Sequence, residues 1–214
     1  VKYFLIDHLY TGSAETAGKL EKLLDEGEYV PGRCTRMMLV SAASGFFETE
    51  EEHFTGALRE QIQREFYYVN LNSNESLFLF TEKYTDYRAL AETIHQFFLK
   101  QYESDCYFAV SEPVSGWRSM PEVFAGLEKL LEEQFYQPNQ HVFMSGAADE
   151  KTQDSPEEDS ELMEQISHDI QHRDIAHLKQ DFGKLEKKYR IEKQFSEMYV
   201  KFVFSSIMKE VYEQ

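Results

Sequence analysis

The sequence predicts an α+β fold, in which a mixed β-sheet packs against helices and an all-helical segment follows toward the C-terminus. Three observations support this fold class. Helical and extended patterns alternate through residues 1–146. Two aromatic runs, 66–71 and 76–80, flank the polar turn 72–75, which is the pattern of a β-hairpin. After residue 160 the apolar residues recur only at helical spacing.

The first half of the α+β region predicts two helices, a strand, a third helix and then the hairpin. The first helix ends at Gly12, and Ser13 is placed to cap the second. The run 36–42 predicts a buried strand. Thr49 is the expected cap of the third helix. Three residues form the apolar stripe of that helix: Phe54, Leu58 and Ile62.

Two further helices and two further strands follow the hairpin. Asp86 is expected to cap a helix, and the apolar run 107–110 predicts a strand that Pro113 ends. Pro121 lies in the first turn of the next helix, which the apolar pattern extends to Phe135. Residues 140–144 predict an edge strand. Because helices connect the strands, we expect the helices on one side of the mixed sheet.

Charge and composition limit the classes of function. Of the 214 residues, 42 % are hydrophobic and 14 % are aromatic, which is enough to build a core. The formal net charge of −17 argues against binding of nucleic acid or anionic membranes by this chain. Its two cysteines, Cys34 and Cys106, are too few for a disulfide scaffold and predict a cytoplasmic protein. No apolar run approaches the roughly 20 residues that a membrane-spanning helix needs.

An acidic stretch predicts the domain organisation. Residues 147–160 contain no apolar residue larger than alanine, so they cannot bury enough surface to become ordered and are expected to form a mobile linker. The linker separates an α+β domain, 1–146, from a helical segment, 161–214. The chain begins without methionine inside a periodic segment, and we therefore expect a fragment of a longer protein or a processed one.

The last predicted helix carries too much apolar surface to remain without a partner. Its stripe consists of Phe195, Tyr199, Phe202, Val203, Ile207 and Val211. Such a stripe must pack on neighbouring helices, on the first domain, on a second copy of the chain or on residues outside this sequence. A homodimer is the expected arrangement.

Few residues form a pattern with catalytic or metal-binding chemistry. His168 and His172 lie at positions i and i+4 of a predicted helix, as in zinc proteases, with His177 nearby. A polar helix face is the preferred interpretation, because no third ligand follows at the spacing of a zinc family. Cys106 adjoins a strand and is expected in the core, whereas Cys34 follows a turn and has no basic helix terminus to activate its thiol.

Two other segments are weaker candidates. The small residues 41–45 could receive a ligand, but they lack the glycine and lysine pattern of a phosphate-binding loop. Trp117 lies in a predicted loop, where it anchors a partner or folds over the edge of its own domain. The sequence therefore predicts no catalytic, cofactor-binding or metal-binding residues.

The end of the α+β domain resembles a known family. The strand 107–110 with Ser111, the helix start 120–123, and the pairs 130–131 and 135–136 resemble the end of the central region of AraC-type two-component response regulators. The helical tail resembles the segment that precedes the DNA-binding helices of those proteins. The resemblance implies a receiver domain and a helix-turn-helix pair in the same polypeptide, outside the region that this chain covers.

The resemblance also implies a ferredoxin-like or nucleotide-cyclase-like sheet, since that central region is similar in fold to diguanylate cyclase (GGDEF) domains. Active cyclases hold Mg²⁺ with acidic residues that follow the first strand and lie in a Gly-Gly-(Asp/Glu)-Glu-Phe hairpin, because a triphosphate needs hard oxygen ligands and charge neutralisation. Here the first strand ends with Ser41 and Ala43, and the hairpin turn has Glu75 but no glycine. The resemblance therefore implies a degenerate domain that is not an enzyme.

The expected function is signal transmission and dimerisation within a response regulator that controls transcription, with DNA bound by a domain outside this chain. The alternative is a domain that senses a small ligand on the degenerate cyclase scaffold. A nucleotide cyclase is the third and weakest hypothesis.

Overall fold

A five-stranded sheet organises the first part of the chain in this computed structural model, which describes residues 2–25, 33–43, 45–50, 52–83, 85–146, 160–192, 195 and 197–212. The strands are β1 (Arg36–Ala42), β2 (Tyr67–Asn70), β3 (Glu75–Phe80), β4 (Cys106–Val110) and β5 (Val142–Met144). Their order across the sheet is β2-β3-β1-β4-β5. β4 and β5 are parallel, whereas the other neighbouring strands are antiparallel. The predicted α+β class, the hairpin and the edge strand are confirmed.

Helices precede, connect and follow these strands. They are α1 (Lys2–Thr11), α2 (Ala14–Asp25), α3 (Phe46–Thr49), α4 (Phe54–Ile62), α5 (Tyr87–Tyr102), α6 (Met120–Leu131) and α7 (Glu133–Tyr136). A short 3₁₀ turn, Trp117–Ser119, leads into α6. No described helix combines the length and the apolar character that crossing a bilayer requires.

Both faces of β1 are buried. Residues 37–40 have no exposed surface, and they alternate between two apolar clusters on opposite faces of the sheet. Met38 and Val40 pack with residues of α3, α4 and α5. Met37 and Leu39 pack with residues of α1, α2 and α6. The sheet is therefore the middle layer of the unit.

The expectation that the helices lie on one side of the sheet is wrong for the unit as a whole. The helices that connect β1 to β2 and β3 to β4 do share a face, and this arrangement of β1–β4 is compatible with a ferredoxin-like fold. The second face of β1 is equally apolar, however, and an apolar face must be removed from water. α1, α2 and α6 supply that second cover.

Two of the three predicted helix caps are confirmed. The Ser13 hydroxyl accepts a hydrogen bond from the Thr16 backbone N–H at 3.1 Å. The Asp86 carboxylate accepts one from the Ala89 N–H at 3.0 Å. Each cap satisfies a backbone donor in the first turn of its helix, which has no carbonyl partner within the helix.

The predicted cap at Thr49 is wrong. Thr49 is the last residue of the short helix α3, and its hydroxyl donates to the Gly45 carbonyl at 3.3 Å. α4 begins at Phe54 without a side-chain cap. The helical turn begins earlier than predicted because Phe46 and Phe47 both enter the core, and a turn at 46–49 places both rings there.

The helix that starts at Met120 also ends earlier than predicted. α6 stops at Leu131, and Phe135 belongs to the separate short helix α7. The Phe135 ring is 37 % exposed and packs edge-on against Tyr136, with ring centroids 5.0 Å apart, so it adds little to the core.

The chain divides into two compact units, Val1–Ala148 and Asp149–Gln214. In the second unit the structure describes α8 (Ser160–His172), α9 (Ile175–Lys187), a π-helical turn (Lys188–Glu192) and α10 (Glu197–Tyr212). The predicted linker, 147–160, lies outside the described residues except at Ser160, and it stays a prediction.

The apolar stripe predicted on the last helix is divided between two surfaces. Phe195, Val203 and Ile207 are buried, whereas Phe202 and Val211 are exposed. The helix therefore packs on its own unit through one side and presents apolar side chains on another.

Phe54 lies at the centre of an aromatic cluster on the α4–α5 face of the sheet. It has no exposed surface. Five other rings lie within 6.3 Å of its ring, measured between centroids: Phe46, Phe47, Tyr68, Phe78 and Phe98. These six rings come from α3, α4, α5 and the β2–β3 hairpin, so the cluster joins most elements on that face.

We expect Phe54→Ala to lower the free energy of unfolding of the first unit by about 3–5 kcal/mol, since it removes a fully buried ring and leaves a cavity. Urea unfolding followed by the fluorescence of Trp117 measures this, because the single tryptophan reports on that unit. Phe135→Ala is the matched control, and its exposed ring should cost under about 1 kcal/mol. Equal losses for the two variants would contradict the assignment of the core.

Candidate functional site

The end of β1 and the β2–β3 hairpin meet at the position that the resemblance assigns to a nucleotide. The hairpin turn folds onto the loop after β1 and occupies its backbone donors. The N–H of Gly45 donates to the Asn74 side-chain oxygen at 2.9 Å, and the N–H of Phe47 donates to the Ser73 carbonyl at 3.0 Å. The N–H of Ala42 donates to the Asn74 carbonyl at 2.8 Å. These donors are therefore already used within the protein.

The hairpin's one acidic residue is also held by its own turn. The Asn72 side-chain N–H donates to the Glu75 carboxylate at 2.9 Å, and the Asn72 oxygen accepts from the N–H groups of Asn74 and Glu75. Glu75 alternates with Ser76 and so lies on the sheet face of Leu77, which packs with α6. Ser41 at the end of β1 is the direct cross-strand partner of Glu75 and shares this face, so the Asn72 side chain, rather than a change of sheet face, is what holds the carboxylate.

Negative charge accumulates around Glu75. Partial burial raises the pKa of Glu128 above its ordinary value, and the charges of Glu75 and Glu132 raise it further. Partial burial, with Glu128 and Glu75, likewise raises the pKa of Tyr10. A polyphosphate approaching this corner would meet repulsion from these carboxylates.

The structure brings together three groups that the sequence did not predict: His95, Asp105 and His141. His95 projects from α5, Asp105 precedes β4, and His141 precedes β5. Each offers one possible metal-ligand atom, and the three atoms lie within 4.8 Å of one another. Among the described residues this is the one group of three or more histidine, cysteine or acidic side chains with that geometry.

The two imidazole rings are stacked above a shared acceptor. Their centroids are 4.1 Å apart, with 29° between the ring planes. The Cys106 carbonyl lies 3.0 Å from Nδ1 of His95 and 3.3 Å from Nδ1 of His141. Because a carbonyl only accepts, each Nδ1 bears the proton when these contacts are hydrogen bonds. The Asp105 carboxylate lies 3.8 Å from Nδ1 of His95 and 3.3 Å from Nδ1 of His141.

Burial keeps His95 neutral. Desolvation lowers the pKa of His95 below its ordinary value, and the neighbouring His141 acts in the same direction. The Cys106 carbonyl and the Asp105 carboxylate oppose this shift. A second positive charge beside a first is unfavourable, and His95 is therefore held in the neutral form, which is the form that binds a metal.

A cleft of about 730 Å³ opens beside this cluster. It is lined by Arg88, Glu92, His95, Gln96, Asn139, Gln140, His141 and Val142. The volume lies in the range of small-molecule sites, although the lining is polar. The cleft gives solvent and small solutes access to the two imidazoles.

The histidines of the second unit do not form a comparable group. His168 and His172 stack with centroids 4.0 Å apart, and Nδ1 of His172 donates to the His168 carbonyl at 2.8 Å. Nδ1 of His177 lies 2.7 Å from the Asp174 carboxylate, which caps α9. This contact raises the pKa of His177, and His177 lowers that of Asp174 in turn. His177 therefore binds the capping residue at the start of α9.

Trp117 folds over its own domain, which was one of its two predicted roles. Its ring is half-buried against the apolar cluster under α6. The His8 ring lies 5.3 Å away, and Nε2 of His8 donates to the Trp117 carbonyl at 3.2 Å. The Arg118 guanidinium covers the indole, 4.9 Å from its centroid.

Both cysteines are core residues. Cys34 is 3 % exposed and Cys106 is fully buried, and neither forms a disulfide. Burial raises the pKa of each thiol to about 12. The thiolate is the reactive form, so neither side chain is a nucleophile near neutral pH.

We expect no reaction of Cys34 or Cys106 with Ellman's reagent in the native protein at pH 7.5, because each thiol is buried and protonated. The absorbance of the released thiolate measures this, and addition of urea should expose two thiols per chain. Rapid labelling of one thiol without denaturant would contradict the packing described here.

Comparison with protein-family models, with curated proteins and with solved structures finds no match for this chain.

Proposed function

We propose that this chain is a non-catalytic module that transmits a signal and associates with a second copy of itself in a two-component response regulator. A receiver domain and a DNA-binding domain of the same polypeptide would receive the signal and act on transcription. The chain itself would contact neither nucleic acid nor membrane, which its net charge of −17 supports.

The occupied loop after β1 is the observation that carries the non-catalytic assignment. A site for a nucleoside triphosphate needs free backbone donors and carboxylates that hold Mg²⁺. Here the donors of Ala42, Gly45 and Phe47 bind the hairpin. The strand end has no carboxylate, and the Glu75 carboxylate is bound by the Asn72 side chain and lies near the carboxyl group of Glu128. These features support a non-catalytic scaffold, in which the hairpin turn binds the backbone N–H groups that a nucleotide would otherwise need.

The outer surface of α10 supports the association. Met198 is 81 % exposed, Phe202 66 % and Tyr212 81 %, and the same helix buries Val203 and Ile207 on its other side. A helix that is apolar on both sides is ordinarily covered on both. Exposed apolar side chains grouped on one helix are typical of a protein interface.

The distribution of charge favours a second copy as the occupant. Residues 1–148 contain 12 basic and 23 acidic residues, so two such units repel one another. The helical segment, 161–214, is nearly balanced, with nine basic and ten acidic residues. Two chains can therefore meet through the helical segment without the repulsion that opposes contact through the sheet unit.

We expect Phe202→Glu to convert a dimer of the full chain into a monomer, because it places a charge in the centre of the apolar surface. Light scattering coupled to gel filtration measures the mass. Ile175→Glu is the matched control: Ile175 is also exposed, at 65 %, but begins α9, so this variant should remain a dimer. A monomeric unmodified chain, or a dimeric Phe202→Glu variant with an unchanged profile, would reject the interface.

We expect no cyclic dinucleotide when the chain is incubated with GTP and Mg²⁺ or Mn²⁺, since β1 ends without a carboxylate and the backbone donors of the loop after it bind the hairpin. Chromatography of the nucleotides, with a reaction without protein as control, measures this. Product above that control, which disappears in Glu75→Ala, would replace the proposal with a cyclase.

One observation favours the alternative, a domain that senses a small ligand. The cleft beside His95 and His141 has the volume of a small-molecule site and several convergent polar groups. Charged groups of both signs, Arg88 and Glu92, line it, so a small zwitterionic or polar molecule fits its chemistry better than a lipid. A change in the dimer fraction on addition of such a ligand would distinguish sensing from constitutive association.

We also propose a cytoplasmic location. Two buried thiols that form no disulfide support a reducing compartment, where structural disulfides are rare.

A further inference from the structure

We propose that His95, Asp105 and His141, together with the backbone carbonyl of Cys106, form a binding site for a divalent transition-metal ion of the zinc type. This inference is independent of the proposed signalling role. It rests on the mutual distances of four potential ligand atoms at one corner of the sheet.

Four of the six distances among these atoms are close to those of a tetrahedral set. Ligands at the usual Zn–N and Zn–O distances of about 2.0–2.2 Å are separated from one another by roughly 3.3–3.5 Å in a tetrahedron. The carbonyl oxygen of Cys106 lies 3.0 and 3.3 Å from the two Nδ1 atoms. The Asp105 carboxylate oxygen lies 3.8 and 3.3 Å from them. Small shifts of side chains therefore bring these pairs to the required separation.

Hydrogen bonding alone explains this cluster less completely. Each imidazole has one proton on Nδ1 at most in its neutral form, yet each Nδ1 faces two oxygen acceptors. A metal ion in their midst contacts all four atoms at once. Its binding needs only transfer of each proton to Nε2 or to water, because the ligating form of histidine is neutral.

The surrounding packing holds the ligands in place. The Tyr107 ring stacks on the His141 ring, with centroids 5.0 Å apart. The Phe108 and His95 rings meet edge to face, with centroids 6.3 Å apart. The N–H of Phe108 donates to the His141 carbonyl at 2.8 Å, so the backbone of His141 is fixed to β4. Such preorganisation reduces the entropy lost when the ligands close on an ion.

The site is accessible from solvent. The Asp105 side chain is 54 % exposed and that of His141 is 28 % exposed, whereas His95 is 7 % exposed as a residue. The cleft along α5 leads to both imidazoles. A hydrated ion can therefore reach Asp105 and His141 first and His95 last.

The donor set selects the kind of ion. Two imidazoles suit zinc, copper, nickel and iron, whereas Mg²⁺ and Ca²⁺ require mainly oxygen ligands. Both thiols are outside the donor set, and a soft ion such as Cu(I) is therefore not favoured. Four-coordinate Zn²⁺ fits the distances best.

An ion bound here would join three elements of the fold. His95 belongs to α5, Asp105 and Cys106 stand at the start of β4, and His141 precedes the edge strand β5. β5 has three residues and pairs with β4 alone. The ion would therefore add a link between this edge strand, β4 and α5.

The test is a titration of the full chain with Zn²⁺ in a His168→Gln/His172→Gln background, which removes the other stacked histidine pair. We expect one Zn²⁺ per chain by calorimetry, and a melting temperature that rises with Zn²⁺ concentration. Asp105→Asn and His141→Ala should each weaken binding by at least about tenfold. Glu103→Gln, which removes an exposed charge two residues before Asp105, and His53→Gln should leave the affinity unchanged.

Co²⁺ provides an independent readout of the geometry. We expect the intense visible absorption of four-coordinate Co²⁺, displaced by Zn²⁺ but not by Mg²⁺. Absence of binding would overturn the proposal, as would binding that persists at full affinity in Asp105→Asn or His141→Ala. Circular dichroism of each variant verifies folding, and Asp105→Asn, at an exposed position, keeps the test valid if His141→Ala unfolds.

Discussion

Burial of β1 on both faces is the constraint on which the first unit depends. The strand pairs with β3 on one edge and β4 on the other, so its backbone groups are satisfied within the sheet. Its side chains at 37–40 are fully buried in two directions. One layer of helices can cover only one face of the strand. α3, α4 and α5 therefore cover one face, and α1, α2 and α6 cover the other. The fold is therefore three layers deep at this strand.

Most elements were predictable from residues that are close in sequence. The prediction failed where burial of side chains in the core outweighed such a local signal. The hairpin, Ser13 and Asp86 depend on residues a few positions apart, so the sequence was sufficient. Thr49 carries the same type of signal, but burial of two adjacent phenylalanines decided where the helical turn begins. The second helical layer was missed because alternation along one strand does not reveal which helices cover which face.

The histidine cluster could not be predicted from spacing. Its members belong to α5, to the start of β4 and to the segment before β5, and only the strand order brings them together. The parallel pairing of β5 with β4 places His141 beside Phe108 and near Cys106. His168 and His172, in contrast, lie one helical turn apart and match a metal-binding spacing in the sequence. In the structure their rings stack on each other. Sequence proximity was therefore a poor guide to chemistry in this chain.

The position of β1 in the chain has a consequence for synthesis on the ribosome. Val40 pairs with Ser76 and Phe108, and Met37 pairs with Leu79, so every partner of this apolar strand is made after it. At about 5–20 residues per second, the first partner strand follows roughly 2–7 s later. During that interval the nascent chain presents an apolar strand with both edges open, which is the form most prone to pairing with another chain. α1 and α2 are made earlier and can shelter one face of it from the start.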